Sequence, residues 1–221
     1  VLDSVTEASG GGIDTEVATF SVTLADNVEN LEISGEGSVG TGNVLDNVLT
    51  GGTGAQTLIG GAGNDTYYVD GAGDVVVEEL DGGIDTVVSS VDLAGIPANV
   101  ENIRLTGAAH IAVGNDGSNR LSGGSGDDEL DGAGGDDLEL GGDGDDTLIS
   151  RGGHDTLSGG AGNDTYKVAG GSVEIEDFLG HDKLDASEAT GNSYIDLSGA
   201  TDSVIEGEIC HFKGGGSSAA P

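Results

Sequence analysis

The sequence contains no Met, no Trp, a single Cys and two Pro in 221 residues. Aromatic residues make up 3%, and 6 Lys plus Arg face 41 Asp plus Glu, for a formal net charge of −35. Each shortage excludes something. One thiol, Cys210, cannot form an internal disulfide. So few bulky side chains cannot fill the core of an ordinary layered domain. No apolar run approaches the roughly 18 residues of a membrane helix, so no membrane span is expected. Proline is too scarce and glycine too irregular for collagen. Charge this negative repels nucleic acid and anionic membrane surfaces. The natural partners of so many carboxylates are cations.

Composition alone fits a disordered chain, because it offers little apolar area to offset backbone entropy. The order of residues points elsewhere. The ends read as those of a fragment of something longer: Val1–Gly12 has neither the basic nor the apolar region of a signal peptide, and 214–221 reads as a flexible Gly/Ser/Ala tail.

From Gly123 the chain can be cut every nine residues into GGSGDDELD, GAGGDDLEL, GGDGDDTLI, SRGGHDTLS and GGAGNDTYK, ending at Lys167. A weaker copy, GNDGSNRLS, precedes them at 114–122, and a second array, GNVLDNVLT, GGTGAQTLI and GGAGNDTYY, occupies 42–68. Position six of the long array is Asn119, Asp128, Asp137, Asp146, Asp155 and Asp164. Position eight is Leu121, Leu130, Glu139, Leu148, Leu157 and Tyr166, with Glu139 the exception. Gly at positions one, two and four suits a turn, and the last three residues suit a very short strand. A larger repeat lies above this one. Gly-Gly-Ile-Asp-Thr recurs at 11–15 and 82–86, and Asn-Val-Glu-Asn at 27–30 and 99–102. The segments between arrays read as longer strands, with no convincing helix. The expected organisation is strands plus a short array over 1–68, a second strand block with the main array and a closing turn over 69–185, a C-terminal segment over 186–213, and the tail.

Two nonapeptides return the chain to the same edge after eighteen residues, so equivalent residues stack at about 4.8 Å. Asp128, Asp146 and Asp164 then share one edge, and Asp137 and Asp155 the other. Between Gly123 and Lys167 twelve acids face two bases, Arg151 and Lys167. Such a stack needs a multivalent cation between turns. Carboxylates and the carbonyls of Gly turns are hard oxygen donors, which suit Ca²⁺ better than Mg²⁺ or zinc.

The pattern GGxGxDxUx, with U large and apolar, resembles the haemolysin-type calcium-binding repeat of RTX proteins; 123–131, 141–149 and 159–167 match it closely. The resemblance implies an all-β fold, a right-handed parallel β-roll or β-solenoid with several Ca²⁺ ions bound between turns. It implies ligands from carbonyls and Asp of turns eighteen residues apart. The first set is Gly124, Gly126 and Asp128 with Gly141, Asp143 and Asp146. On the other edge stand Ala133, Gly135 and Asp137 with Ser150, Gly152 and Asp155. A third joins Gly142, Gly144 and Asp146 to Gly159, Ala161 and Asp164. Counting eighteen from Asp164 reaches Asp182, so Gly160, Gly162 and Asp164 face a closing turn holding Asp177 and Asp182. The same count from Asp155 reaches Val173, so the second edge ends early. Asn119 is a neutral ligand at best. In the first array Asn47 and Asp65, with Gly60 and Ala62, are expected to hold one weaker ion, and Gln56 removes a carboxylate. Asp14 and Asp85 are further candidates.

Other signals carry less. Gly35–Gly40 fits GxGxxG, but no helix follows it. His110, His154, His181 and His211 are scattered and read as exposed turn residues. Tyr67 and Tyr166 read as bulky strand residues packed inside. No HExxH or GxSxG occurs, so the chain is not expected to be an enzyme. The resemblance implies a secreted, extracellular or cell-surface bacterial module that folds on calcium after type I export. The partners expected are calcium, the secretion machinery and a cell-surface or polysaccharide ligand. Its place is then in a large adhesin, or at the non-catalytic end of an exoenzyme such as a metalloprotease, lipase or polysaccharide epimerase.

Overall fold

A computed structural model describes residues 5–80, 82–176, 179–189, 194–196 and 204–206. Among them every regular element is a strand and there is no helix, hence none long and apolar enough to cross a membrane. All the recorded strand pairs are parallel, which makes the fold an all-β solenoid. The Gly-rich half of each nonapeptide turns the chain and its last residues pair with the strand eighteen residues on. Leu130 lies beside Leu148, Leu148 beside Tyr166, and Tyr166 beside Leu184.

The chain divides into two compact units, Val1–Asp92 with Ile96–Ala109, and Leu93–Gly95 with His110–Pro221. In the second unit one sheet runs Arg120–Ser125, Leu138–Asp143, His154–Ala161, Ser172–Ile175 and Tyr194–Asp196. Its facing sheet runs Ile111–Asn115, Glu129–Ala133, Thr147–Ser150, Thr165–Val168, Lys183–Asp185 and Val204–Glu206. The first unit pairs Thr15–Ala18, Asn30–Ile33, Val48–Gly51, Thr66–Val69, Thr86–Ser89 and Asn102–Leu105 in that order. Opposite lie Val22–Thr23, Val39–Thr41, Thr57–Ile59 and Val75–Val77.

Strands this short bury only a few side chains each, so the core is a set of columns. Leu31, Leu49, Tyr67, Val87 and Ile103 form one column, each beside the next. All are buried, as are Leu121, Leu130, Leu148, Leu157 and Tyr166 in the second unit. Full burial of one such side chain is worth about 1.5–3 kcal/mol. A few columns therefore supply what the sparse aromatics cannot. Both Tyr67 and Tyr166 lie inside, as their position in the repeat predicts. Val17 points outward, at 69% exposure, because Ala18 takes the inward face of the strand Thr15–Ala18, and Phe20, just beyond that strand, is 55% exposed.

The period is not rigid in the first unit. Asn47 and Asp65 are linked across 18 residues, but Asp65 and Asp85 across 20 and Asp85 and Glu101 across 16. The two departures cancel, and the column through Tyr67, Val87 and Ile103 stays in register.

Candidate metal centres

The position-six residues of the main array form a hydrogen-bonded ladder. The backbone N–H of Asp128 donates to Asp146 Oδ1 at 2.8 Å, that of Asp146 to Asp164 Oδ1 at 2.7 Å, and that of Asp164 to Asp182 Oδ1 at 3.0 Å. On the other edge Asn119 donates to Asp137 Oδ1 at 2.8 Å and Asp137 to Asp155 Oδ1 at 3.1 Å. One oxygen of each carboxylate thus fixes the turn before it. Ladder and strand register alike follow the eighteen-residue count.

The second oxygen is left for something else. Asp128 Oδ2 and Asp146 Oδ2 are buried without a hydrogen-bond partner. An unpartnered buried carboxylate oxygen is costly, which points to an ion or a proton there. Burial pushes the Asp146 carboxyl up to about 6, against the relief given by the Asp128 N–H. Asp137 is pushed up to about 7, chiefly by burial and secondarily by Asp155.

Glycine keeps the space around these oxygens open. A Cβ on Gly123, Gly141 or Gly159 would collide with the carboxylate of Asp128, Asp146 or Asp164 respectively. At positions two and four, a Cβ on Gly142 or Gly144 would strike the carbonyl oxygen of Gly124 or Gly126. One on Gly160 or Gly162 would strike that of Gly142 or Gly144. The carbonyls of Asp143 and Ala161 accept the N–H of Gly126 and Gly144, each at 2.7 Å. Each level therefore gathers carbonyls and two carboxylates from stacked turns, all of them hard oxygen donors. That donor set and the orphaned oxygens fit Ca²⁺.

The other edge departs from this pattern. At its Asp155 level position one is Ser150, whose hydroxyl donates to Asp155 Oδ2 and fills the space a glycine would leave. Asp155 is still pushed up, by burial, with the Ser150 bond opposing. Ala133 holds the left-handed backbone of position two, at φ 71°, at a cost glycine avoids. Gly135 is also left-handed, and its carbonyl lies against Gly153. Gly152 has open space beside it. The stack on this edge reaches Val173 beside Asp155, as counted. Asp177 lies outside the described residues.

In the first array hydrogen bonds replace charge. The Asn47 amide donates to the carbonyl of Glu29 at 3.1 Å and its oxygen accepts the Asn43 N–H at 2.7 Å. Its backbone N–H donates to Asp65 Oδ1 at 2.7 Å. Gly60 packs beside Asp65, and the Ala62 N–H reaches the Asn43 carbonyl at 3.3 Å. Gln56 keeps the ladder through its backbone N–H to Asp74 Oδ1 at 2.9 Å.

Several contacts are not evident from the sequence. Glu29 and Glu101, from the two Asn-Val-Glu-Asn segments, stand in for the ladder aspartate: they accept the N–H of Asp14 at 3.0 Å and of Asp85 at 2.8 Å. Position five, which looks free in the repeat, forms an outer ladder of reversed sense. Asp145 donates to Asp127, Asn163 to Asp145 and His181 to Asn163 through backbone N–H groups. His154 likewise donates its N–H to Asp136, and its side chain is exposed. His110, eighteen before Asp128, sets its imidazole 3.0 Å from that carboxylate. Glu139 is fully buried in a leucine column, accepting the N–H of Gly132 at 2.8 Å and of Ile149 at 3.0 Å. Burial pushes its carboxyl well up. Arg151 pairs with Asp131 at 2.6 Å.

The RTX calcium-binding nonapeptide repeat matches this chain in four copies, over residues 41–76, 111–138 and 140–172. The chain carries RTX calcium-binding nonapeptide repeats. The RTX matches cover both arrays. Several calcium-binding repeats imply several Ca²⁺ ions. A relative, endo-1,3-1,4-beta-glycanase ExsH of Rhizobium meliloti (strain 1021), is 38% identical over 69 residues. That match covers 31% of this chain and 15% of the relative.

Proposed function

We propose that this chain is a non-catalytic, calcium-folded module of a secreted bacterial protein, stored as an extended polyanion and set into its solenoid by Ca²⁺ outside the cell. The buried, unpartnered second oxygens of Asp128 and Asp146 carry this reading, because a carboxylate stack with open oxygens is unfavourable until a cation fills it. Asp128 and Asp146, with the carbonyls of Gly124, Gly126, Gly141 and Asp143, would hold one ion. Asp146 and Asp164, with Gly142, Gly144, Gly159 and Ala161, would hold the next. Asp164 and Asp182, with Gly160 and Gly162, would hold a third. Asp137 and Asp155 form a weaker site with Ala133, Gly135, Ser150 and Gly152. The ion supplies positive charge between turns; the chain's own part is to fix the donors through the ladder.

Extracellular calcium modules bind with Kd on the order of 10⁻⁴–10⁻³ M, so calcium outside the cell suffices to fold such a chain and calcium inside does not. Passage through a type I channel as an unfolded chain is consistent with that difference. A second reading rests on the glycanase relative: the module is the non-catalytic part of an exoenzyme acting on polysaccharide. The sequence similarity to ExsH over 69 residues supports it.

Circular dichroism tests the calcium-folding reading. We expect little regular structure in EDTA and a β-rich spectrum at millimolar Ca²⁺, with Mg²⁺ at equal concentration much less effective. An unchanged spectrum across the calcium titration would remove it.

A further inference from the structure

Away from the main array, three carboxylates meet inside the first unit. Asp65 closes the short array, Glu78 follows the strand Val75–Val77, and Asp85 precedes Thr86–Ser89. One carboxylate oxygen from each lies within 4.8 Å of the other two, and all three residues are buried. Asp65 and Asp85 are 1% and 0% exposed, and their Oδ2 atoms have no hydrogen-bond partner. Their Oδ1 atoms are already used, by the N–H of Asn47 at 2.7 Å and of Asp65 at 2.8 Å. Tyr67 donates its hydroxyl to Glu78 Oε2, and the Glu79 N–H donates to Glu78 Oε1 at 2.8 Å. Neither ion pair recorded among the described residues, His110–Asp128 and Arg151–Asp131, involves the three acids.

Two glycines shape the space. A Cβ on Gly60 would collide with Asp65 Oδ2 and the Tyr67 hydroxyl and stand 2.8 Å from Glu78 Oε2. One on Gly82 would stand 2.5 Å from Glu78 Oε1 and 2.9 Å from the Gly61 carbonyl oxygen. Three buried carboxylates without a counter-charge would repel one another and lose their hydration together.

The arrangement is built twice. Glu7, Gly11, Gly12, Ile13 and Asp14 repeat the spacing of Glu78, Gly82, Gly83, Ile84 and Asp85. Glu7 Oε1 accepts the next N–H at 3.0 Å, as Glu78 Oε1 does at 2.8 Å. A Cβ on Gly11 would collide with Glu7 Oε1, as Gly82 is confined by Glu78. Asp14 Oδ2 is buried and unpartnered too. Among the described residues only the second copy gains a third carboxylate, from Asp65.

We propose that Asp65, Glu78 and Asp85 bind one Ca²⁺ ion, at a site made by the Glu-x₃-Gly-Gly-Ile-Asp segment and not by nonapeptides stacked eighteen apart. Oxygens each about 2.4 Å from one ion lie at most about 4.8 Å apart, a limit this triad meets. The side chains of the triad offer only oxygens, which disfavours zinc. Their crowding by fixed turns leaves little room for the waters that Mg²⁺ retains. The site takes no ligand from the main array, so each can fail without the other.

The test counts ions on the full chain by native mass spectrometry in calcium, with calorimetry for affinity. Glu78→Gln keeps a hydrogen-bond acceptor for Tyr67 and should bind one Ca²⁺ fewer, with the other affinities unchanged. Tyr67→Phe keeps all three carboxylates and should keep the count. Asp146→Ala should lose main-array ions and retain this one. A Glu78→Gln count equal to wild type, at equal affinity, overturns the proposal and leaves the repeat sites standing; a wild type that binds a single ion, kept in Asp146→Ala and lost in Glu78→Gln, does the reverse. If Glu78→Gln does not fold, anomalous scattering from Tb³⁺ in wild-type crystals decides: a peak among the three carboxylates upholds the site, and none there overturns it.

Discussion

Asp146 stands between two levels of the stack, and removing it should be felt twice. Its Oδ1 fixes the Asp128 turn and its Oδ2 faces the space beside Gly141. Asp155 has one aspartate neighbour, Asp137, and its second oxygen is occupied by Ser150. An ion that binds only the folded chain adds RT ln(1 + [Ca²⁺]/Kd), or about 1.4 kcal/mol per tenfold rise in calcium above Kd. Asp146→Ala removes a ligand from two ions, so the slope of unfolding free energy against log calcium should fall by about 2.8 kcal/mol per decade. Asp155→Ala should lower it by about 1.4 kcal/mol per decade at most. Each variant also strips the acceptor from one backbone N–H, of Asp128 or of Asp137, worth about 1 kcal/mol. That loss does not depend on calcium and drops out of the slope. Urea unfolding followed by circular dichroism at several calcium concentrations between about 10 and 100 mM measures it, a range above the Kd expected of such modules. Equal slopes for the two variants would refute the sharing of Asp146 between stacked sites.

Two further outcomes follow from the same carboxylates. Asp146, at about 6, and Asp137, at about 7, hold a proton more tightly in the ion-free fold than in the unfolded chain, where the value is about 3.9. Protonation therefore supports the ion-free fold fully below about pH 4, and that support is lost as pH rises through 6 to 7. In EDTA the β signal should be larger at pH 4 than at pH 7.5, and calcium half-saturation should move to higher concentration as pH falls towards 5; less β structure at acid pH would contradict this. Ser150→Gly should vacate the space beside Asp155 and tighten calcium binding on that edge, and calorimetry showing weaker binding there would count against the reading of Ser150 as a substitute for an ion.

The position-six ladder was visible in the sequence because it obeys one count. Asp128, Asp146 and Asp164 could be stacked on paper because the spacing that sets their backbone register also sets their side-chain ladder. Glu29, Glu101 and Glu78 could not. A glutamate reaches one carbon further than an aspartate, so it joins the ladder from spacings of 15 or 16, or enters the triad from outside any nonapeptide. Asn47 was legible as a departure from the repeat and Ser150 was read only as a ligand, but not what their side chains do, because a neutral amide or hydroxyl satisfies a carbonyl or carboxylate only if the local turn aims it. In Thr15–Ala18 the inward face belongs to Ala18 and not to the larger Val17; one pleat of phase is all that separates the two arrangements.

The cancelling departures of 20 and 16 residues bear on how such a chain can change over time. A duplication of eighteen residues would add one complete coil, extending both edges without creating a loop that needs its own partners. A duplication of nine would send every following aspartate to the opposite edge, exchanging rows that end differently. Small insertions survive only as matched pairs, one coil lengthened and the next shortened. Length in this architecture is therefore heritable in whole coils, and anything smaller must be repaired by its neighbour.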